Sequence, residues 1–368
     1  MYLFGFLLVL GPLITIHELG HYMVGRWFGV KAEAFSIGFG KEIVGWTDRY
    51  GTRWKIAILP LGGYVQFYGD MNPSSVGSGG ASDSPHAFQS KSLLKRSLIV
   101  FAGPATNLFV TIAIFFVFFA VNGQPKIIFP EDSTTVSRFA PESSARDAGM
   151  EIGDRILAVD GKTVNDFQEL IDKVALYPNK EIRVTVGRAE IERQLLVTIG
   201  SVTEKDRFGN EMTVGRLGIF RPETGDVTVS YQRESIFGAL AHSVQHTWET
   251  FKMMMLGLKQ IIIGDRSFQE LGGPLKIAKY SGEQLSLGVL AFVNFVALIS
   301  LNLAFINLLP IPGLDGGHLL FYAAEAVRRR PLGENFTGVA YRLGLGSVLM
   351  LFLVVTLNDL LSLPIFRS

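Results

Sequence analysis

His17 and His21 lie four residues apart, separated by Glu18, Leu19 and Gly20, inside the apolar stretch that begins at Tyr2. On a helix this spacing puts both imidazoles on one face, one turn apart, within reach of a single metal ion. Glu18 stands beside them, where a carboxylate can take a proton from a water that the metal activates. The setting is odd for hydrolytic chemistry, because no charged residue occurs from Tyr2 to Ile16. An acid at the centre of a membrane helix costs roughly 2.5–3.5 kcal/mol on insertion scales, so a group kept there calls for a role. A buried structural network is the plain alternative to a metal site. A catalytic zinc takes three protein ligands and keeps one position open, so a third ligand has to come from elsewhere in the chain.

The totals say what carries these residues. The chain has 368 residues, more than one domain by length. Charged residues make up 18% against about 25% in soluble domains, while hydrophobic residues reach 48% and Phe alone numbers 28. That is the composition of a polytopic α-helical membrane protein with a soluble portion. A net charge of +1 gives no basis for a nucleic-acid partner. The absence of cysteine excludes disulfides, cysteine-ligated zinc and thiol chemistry. No basic residue precedes the first apolar run, which itself holds His17 and Glu18, so it reads as a span and not as a signal peptide.

About four spans follow from the apolar runs, at 2–25, 97–121, 287–309 and 341–363, each suited to a hydrocarbon core of about 30 Å. Residues 1–122 form an N-terminal membrane part. Within it, short β-type runs over 33–68, parted by the turn-like Asp48–Gly51 and Pro60–Gly62, predict a membrane-associated β-hairpin sheet. Residues 69–92 read as a flexible loop rich in Gly, Ser and Pro. Gly103-Pro104 and Asn107 disturb the second span, and Asn107 is expected to face the site. Residues 126–225 are soluble in composition, with β-runs at 182–186, 194–199 and 213–220 and a helical stretch at 166–176. Residues 233–282 form an interfacial amphipathic helix region, whose His242, His246 and Glu249 are a rival metal cluster better read as a polar face. The C-terminal membrane part, 287–368, includes Asn307 and the run from Leu308 to His318, where prolines and glycines end regular helix.

Short-loop charge sets the orientation. Arg26, Lys31, Lys41, Arg49, Arg53, Lys55, Lys91, Lys95 and Arg96 lie between the first two spans, and Arg328–Arg330 between the last two. Positive-inside makes both segments cytoplasmic and puts residues 126–225 on the other side. Asp315 then emerges at the membrane depth inferred for His17 and is the candidate third ligand, with a hairpin-type turn at Asp315-Gly316 as the plain alternative.

Two resemblances sharpen the picture. Ser144 to Gly161 closely resembles the signature of a bacterial PDZ domain, a fold whose groove takes an extended peptide as an added strand. His17-Glu-Leu-Gly-His21, Gly103-Pro-x-x-Asn107 and Asn307-Leu-Leu-Pro-Ile-Pro-x-Leu-Asp315-Gly-Gly together resemble the site-2 protease family of intramembrane zinc metalloproteases. Within it the likeness is to the bacterial regulator-of-sigma-E type, here with a single PDZ domain where the best-known members carry two in tandem. The resemblance implies a Zn2+ cofactor held by His17, His21 and Asp315, Glu18 as general base, and Asn307 holding the substrate near the scissile bond. It implies single-span membrane protein substrates, such as anti-sigma factors or remnant signal peptides, and a place in the bacterial inner membrane with the active site near the cytoplasmic side. The PDZ domain would contact substrate peptide or exclude bulky substrates. A transmembrane helix hides its peptide bonds in its own hydrogen bonds, so cleavage needs an unwound segment, and the sheet edge at Ile56 and Ile58, with Asn107, is the expected substrate-binding part. Competing readings are a membrane-anchored PDZ scaffold or chaperone with a structural metal site, and a metal or proton transporter.

Overall fold

The computed structural model describes residues 2–69, 84–130, 132–189, 191–205, 211–223, 227–266 and 271–361. The chain divides into two units, Met1–Val121 with Ser235–Ser368, and an insert, Asn122–Glu234.

The first unit opens with helix α1 (Tyr2–Trp27), which stops where Gly29 takes a left-handed φ of 73°. Strands β1 (Ala32–Thr47) and β2 (Arg53–Phe67) follow, joined at Asp48. The Asp48 carboxylate accepts from the Tyr50 and Thr52 backbone N–H groups at 2.8 and 3.0 Å and from Trp54 Nε1–H at 2.9 Å. The second expected turn, Pro60–Gly62, lies inside β2 instead. What bends the sheet is β1, at Gly38 and Gly40, whose φ values of 92° and 90° are open to glycine at little cost. Because of that bend, Ala34–Ile37 pair both with Gly63–Gln66 and with Arg53–Ile56, while Val44–Thr47 pair with Arg53–Ile56 from the other side. Arg53–Ile56 is therefore interior, and Gly63–Phe67 has a partner on one side. Residues 70–83 of the expected loop fall outside the described residues. Its tail is packed, not loose: Ala87 and Phe88 are buried, and Phe88 stacks on Phe67 at 5.8 Å.

Helix α2 (Leu93–Asn122) runs on through Pro104. Ile99 and Val100 from it join Phe35, Val65, Phe67, Phe88 and Tyr322 in a buried core under the sheet.

The insert extends past both ends of the predicted 126–225. Strand β3 (Gln124–Ile128) pairs with the last of its strands, β12 (Thr228–Gln232). Between them lie β4 (Arg138–Phe139), α3 (Ser144–Asp147), β5 (Arg155–Val159), β6 (Lys162–Thr163), α4 (Phe167–Val174), β7 (Glu181–Arg188), β8 (Ile191–Thr198), β9 (Gly200–Lys205), β10 (Glu211–Arg216) and β11 (Ile219–Phe220). An antiparallel sheet in the order β6-β5-β7-β8 alternates buried Ile182, Val184 and Val186 with outward residues, the period of a strand with one covered face. The PDZ-like signature supplies α3, capped by the Ser143 hydroxyl, and β5.

The first unit resumes with α5 (Ile236–Ile263), capped by Ser235 and closed by Gly264 at a φ of 90°. Helices α6 (Pro274–Ser286), α7 (Val289–Asn307), α8 (Asp315–Arg328) and α9 (Glu334–Leu361) complete it. Among the described residues, four helices are long and apolar enough to cross a bilayer: α1, α2, α7 and the part of α9 from Asn335. Helix α5 is not one of these. Its Ala239 packs with Phe115, Phe119 and Ala297, and His246 stands edge-on to the Phe115 and Phe119 rings at 4.7 and 5.8 Å. The His242–His246–Glu249 face is thus partly spent on packing against α2.

In the insert, Asp154 is 1% exposed and accepts from Arg188 Nε and Nη2 at 2.7 and 2.6 Å and from the Glu151 N–H at 2.9 Å. Burial pushes its carboxyl up, but the paired Arg188 hydrogen bonds outweigh this and hold it below the usual carboxylate range. A depressed folded pKa stabilises fully above the unfolded value of about 3.9 and loses that contribution as pH falls through the folded value. Hydrogen-exchange protection of Val184 and Val186 is therefore expected to fall on acidification from pH 5 to below 3. Arg188→Ala should lower protection already at neutral pH and flatten the acid dependence.

Candidate metal centre

The site is assembled by three close approaches between helices. Gly20 of α1 lies so near α2 that a Cβ there would come within 2.5 Å of the Ala102 carbonyl oxygen. Thr106 sends its hydroxyl across to the Ile16 carbonyl at 3.2 Å. On the other side of α2, Ser300 and Thr111 tie α7 to the buried Asn107 turn, with Ser300 Oγ donating to the Asn107 carbonyl at 2.8 Å. Small and hydroxylated residues are what lets apolar helices meet this closely.

Helix α7 ends at Asn307, and Pro310 and Pro312 keep the chain out of helix until α8 starts at Asp315. Gly316 and Gly317 tuck against the Leu308, Leu309 and Ile311 carbonyls, a contact no side chain would permit. That tight start, not a hairpin turn, is what delivers Asp315. Its Oδ2 lies 3.2 Å from His17 Nε2 and 3.4 Å from His21 Nε2, and the two Nε2 atoms are 3.2 Å apart.

Corners of a tetrahedron with arms of about 2.0–2.1 Å lie about 3.3–3.4 Å apart, so the three atoms are spaced as zinc ligands are. The donor chemistry fits as well. Asp315 Oδ2 is buried with no hydrogen bond to satisfy it. His21 Nδ1 is 2.9 Å from the Ile99 carbonyl, so it carries the proton and leaves the Nε2 lone pair free. His17 Nδ1 meets the Asn107 amide at 3.3 Å; when Nε2 is the ligand atom, that amide presents its oxygen to Nδ1–H. Gly103 makes room, since a Cβ there would overlap both imidazoles. His17, His21 and Asp315 are also the residues whose ligand atoms gather within 4.8 Å among the described residues.

Glu18 is buried beside the trio and accepts a hydrogen bond from the Val65 backbone N–H. A cavity of about 470 Å3 opens here, lined by His17, Glu18, His21, Asp315, Asn307 and the β2 stretch Gly62–Val65.

The structure brings the expected His17, His21, Asp315 and Glu18 together and arranges their surroundings differently from the expectation. Ile56 and Ile58 are exposed side chains outside the cavity wall, and Arg53–Ile56 already has strand partners on both sides. The strand that meets the site is Gly62–Val65. Asn107 is fully buried, and its amide serves His17 where a substrate contact was expected. Asn307 does line the cavity, with its Nδ2 donating to the Leu303 carbonyl at 3.0 Å. Two groups were missed: His318, visible in sequence as a polar residue one turn beyond Asp315, and Tyr341, whose sequence position carries no signal.

Residues 5–351 match the peptidase family M50. The chain belongs to that family. A protein of Agrobacterium fabrum, provisionally named a zinc metalloprotease, is 38% identical over 98% of this chain and 96% of its own length. Metalloprotease MmpA of Caulobacter vibrioides is 32% identical over 98% and 96%. Among solved structures, the PDZ domain of an SdrC-like protein from Listeria monocytogenes aligns with 25% of this chain and 90% of its own, at 19% identity and a TM-score of 0.19, a likeness too slight to argue from. This M50 peptidase, of the site-2 protease kind, is a membrane protein by its four apolar helices.

Gly103→Ala should abolish metal binding, because its Cβ displaces both imidazoles. Asn107→Ala should weaken zinc affinity about 10–100-fold while the fold holds, the usual loss when a ligand's orienting partner is removed. Competition with a chelator of known affinity measures both.

Proposed function

We propose that this chain is an intramembrane zinc endopeptidase that cleaves single-span membrane proteins within or next to their transmembrane segment. The observation that carries the reading is the convergence of two Nε2 atoms and a glutamate from the apolar helix α1 with one carboxylate oxygen from the start of α8 on an open cavity. A structural zinc site is closed by four protein ligands, whereas a catalytic one keeps a position open. Three donors facing a cavity of about 470 Å3 favour the catalytic case over a scaffold with a structural metal.

His17, His21 and Asp315 would hold the zinc, which when bound would supply an acidified water and Lewis acidity towards the scissile carbonyl. Glu18 does the proton work: it takes the proton of the attacking water and returns it to the leaving amine. Its anchor on the Val65 N–H holds the carboxylate in one place for both transfers. Asn307, at the rim, contacts the substrate backbone. The free side of Gly63–Phe67 receives an unwound stretch of substrate as an added strand, which satisfies backbone groups that the bilayer cannot. Gly63 lies against Glu18 Cγ, so a strand docked there passes the base.

The substrates are single-span proteins of the anti-sigma-factor class or remnant signal peptides, and the process is regulated intramembrane proteolysis. The charged segments around Arg26–Arg96 and Arg328–Arg330 support a site near the cytoplasmic face of a bacterial inner membrane. The PDZ-like insert then works outside, admitting substrates already trimmed of bulky domains.

Purified protein in detergent is expected to hydrolyse a single-span test substrate. Glu18→Gln should keep its zinc but lose about 10²–10⁴-fold in kcat. Activity equal to wild type in this variant sinks the mechanism. A substrate N-methylated on alternate residues upstream of the scissile bond should be cleaved at least about tenfold more slowly, since each methyl removes a strand hydrogen bond. Unchanged cleavage of that substrate rules out strand addition.

A further inference from the structure

The cavity holds a polar side chain that neither the metal set nor the base employs. His318 follows Asp315 by one turn on α8, which places both on one helix face. It lines the cavity together with Glu18, Asn307 and Asp315. Its Nδ1 lies 2.6 Å from the Tyr341 hydroxyl of α9. The Tyr341 ring stands 5.0 Å from the imidazole and 5.4 Å from Phe321, and Tyr322 flanks His318 at 6.4 Å. One short hydrogen bond and two aromatic neighbours therefore fix the imidazole plane.

The direction of that hydrogen bond decides what the other nitrogen offers. A phenol is a far better acid than a neutral imidazole N–H, and an imidazole nitrogen is a better base than a phenol oxygen. The Tyr341 O–H thus donates to Nδ1, and the ring proton sits on Nε2. Asn307, expected to hold the substrate near the scissile bond, gives one of its two Nδ2 hydrogens to the Leu303 carbonyl.

We propose that His318 Nε2–H is the hydrogen-bond donor to the scissile carbonyl oxygen as it becomes an oxyanion, with Tyr341 as its positioning residue. The proposal rests on the proteolytic reading above. A preorganised donor aimed at developing charge is worth about 10²–10³ in kcat, because it acts in the transition state and hardly in the ground state.

The test uses the full chain in detergent with a single-span fluorogenic substrate. His318→Ala is expected to lower kcat about 10²–10³-fold with KM within about threefold of wild type and full zinc content. His318→Gln, which returns an N–H near the position of Nε2, should recover at least about tenfold of that loss, and Tyr341→Phe should cost about tenfold. A phosphinic peptide, which mimics the tetrahedral state, should bind His318→Ala more weakly by about the factor lost in kcat, while an uncleavable substrate peptide binds as before. The proposal falls if His318→Ala stays within about twofold of wild type, if only KM changes, if Gln recovers nothing, or if zinc is lost in step with activity. Zinc-loaded wild type that cleaves nothing overturns the proteolytic reading and this proposal together, so the two failures are distinct.

Discussion

Three lone pairs have to be held within about a bond's reach of one another inside apolar helices, and the rest of the membrane unit is arranged around that demand. Two Nε2 atoms and a carboxylate oxygen at 3.2–3.4 Å repel unless a cation sits among them, so the fold has to impose the geometry. It does so with rigid backbone contacts. The Ile99 carbonyl fixes the tautomer of His21, the Asn107 amide does so for His17, and the doubly glycine-bounded start of α8 fixes Asp315. Each of these partners belongs to a different helix from the ligand it orients, or to a loop end with no freedom left.

The membrane setting explains the chemistry of those contacts. Between apolar helices there is little hydrophobic gain to be had from association, so close packing and hydroxyl-to-carbonyl bonds hold α1, α2 and α7 together. Thr106, Thr111 and Ser300 carry that role: Thr106 and Thr111 lie within about a turn of Asn107 on α2, and Ser300 bonds the Asn107 carbonyl. The same environment forbids unpaired backbone, so a one-sided strand such as Gly63–Phe67 is tolerated only where protein or a polar cavity meets it.

What sequence could reveal divides along the range of the interaction involved. His17, Glu18 and His21 were legible because a helix fixes i and i+4 on one face without any tertiary help. Asp315 was legible through charge asymmetry, which orders segments by membrane depth. The sheet failed at the level of register: Ile56 and Ile58 look like edge residues by composition, but the bend at Gly38 and Gly40 folds β1 back and makes Arg53–Ile56 interior. Pro60–Gly62 reads as a turn for the same local reasons, yet long-range pairing draws it into β2. Asn107 was legible as a polar residue in an apolar span, but no local pattern says that its amide meets His17.

The position of Asp315 has a further support on the far end of its helix. Arg96, at the start of α2, meets Glu325 near the end of α8 at 3.2 Å and lays its guanidinium 5.0 Å over the Tyr322 ring. Tyr322 lines the cavity and joins the core that backs the sheet. Both partners are largely shielded, with side chains 20% and 15% exposed, so each charge depends on the other for solvation. The α8 helix is thereby held at both ends: by glycine contacts against the proline loop, and by an ion pair to the same helix that orients His17 and His21. A rotation of α8 would break the pair and swing Asp315 away from the imidazoles in one motion. Metal geometry and a charged contact several turns away are consequently one mechanical unit.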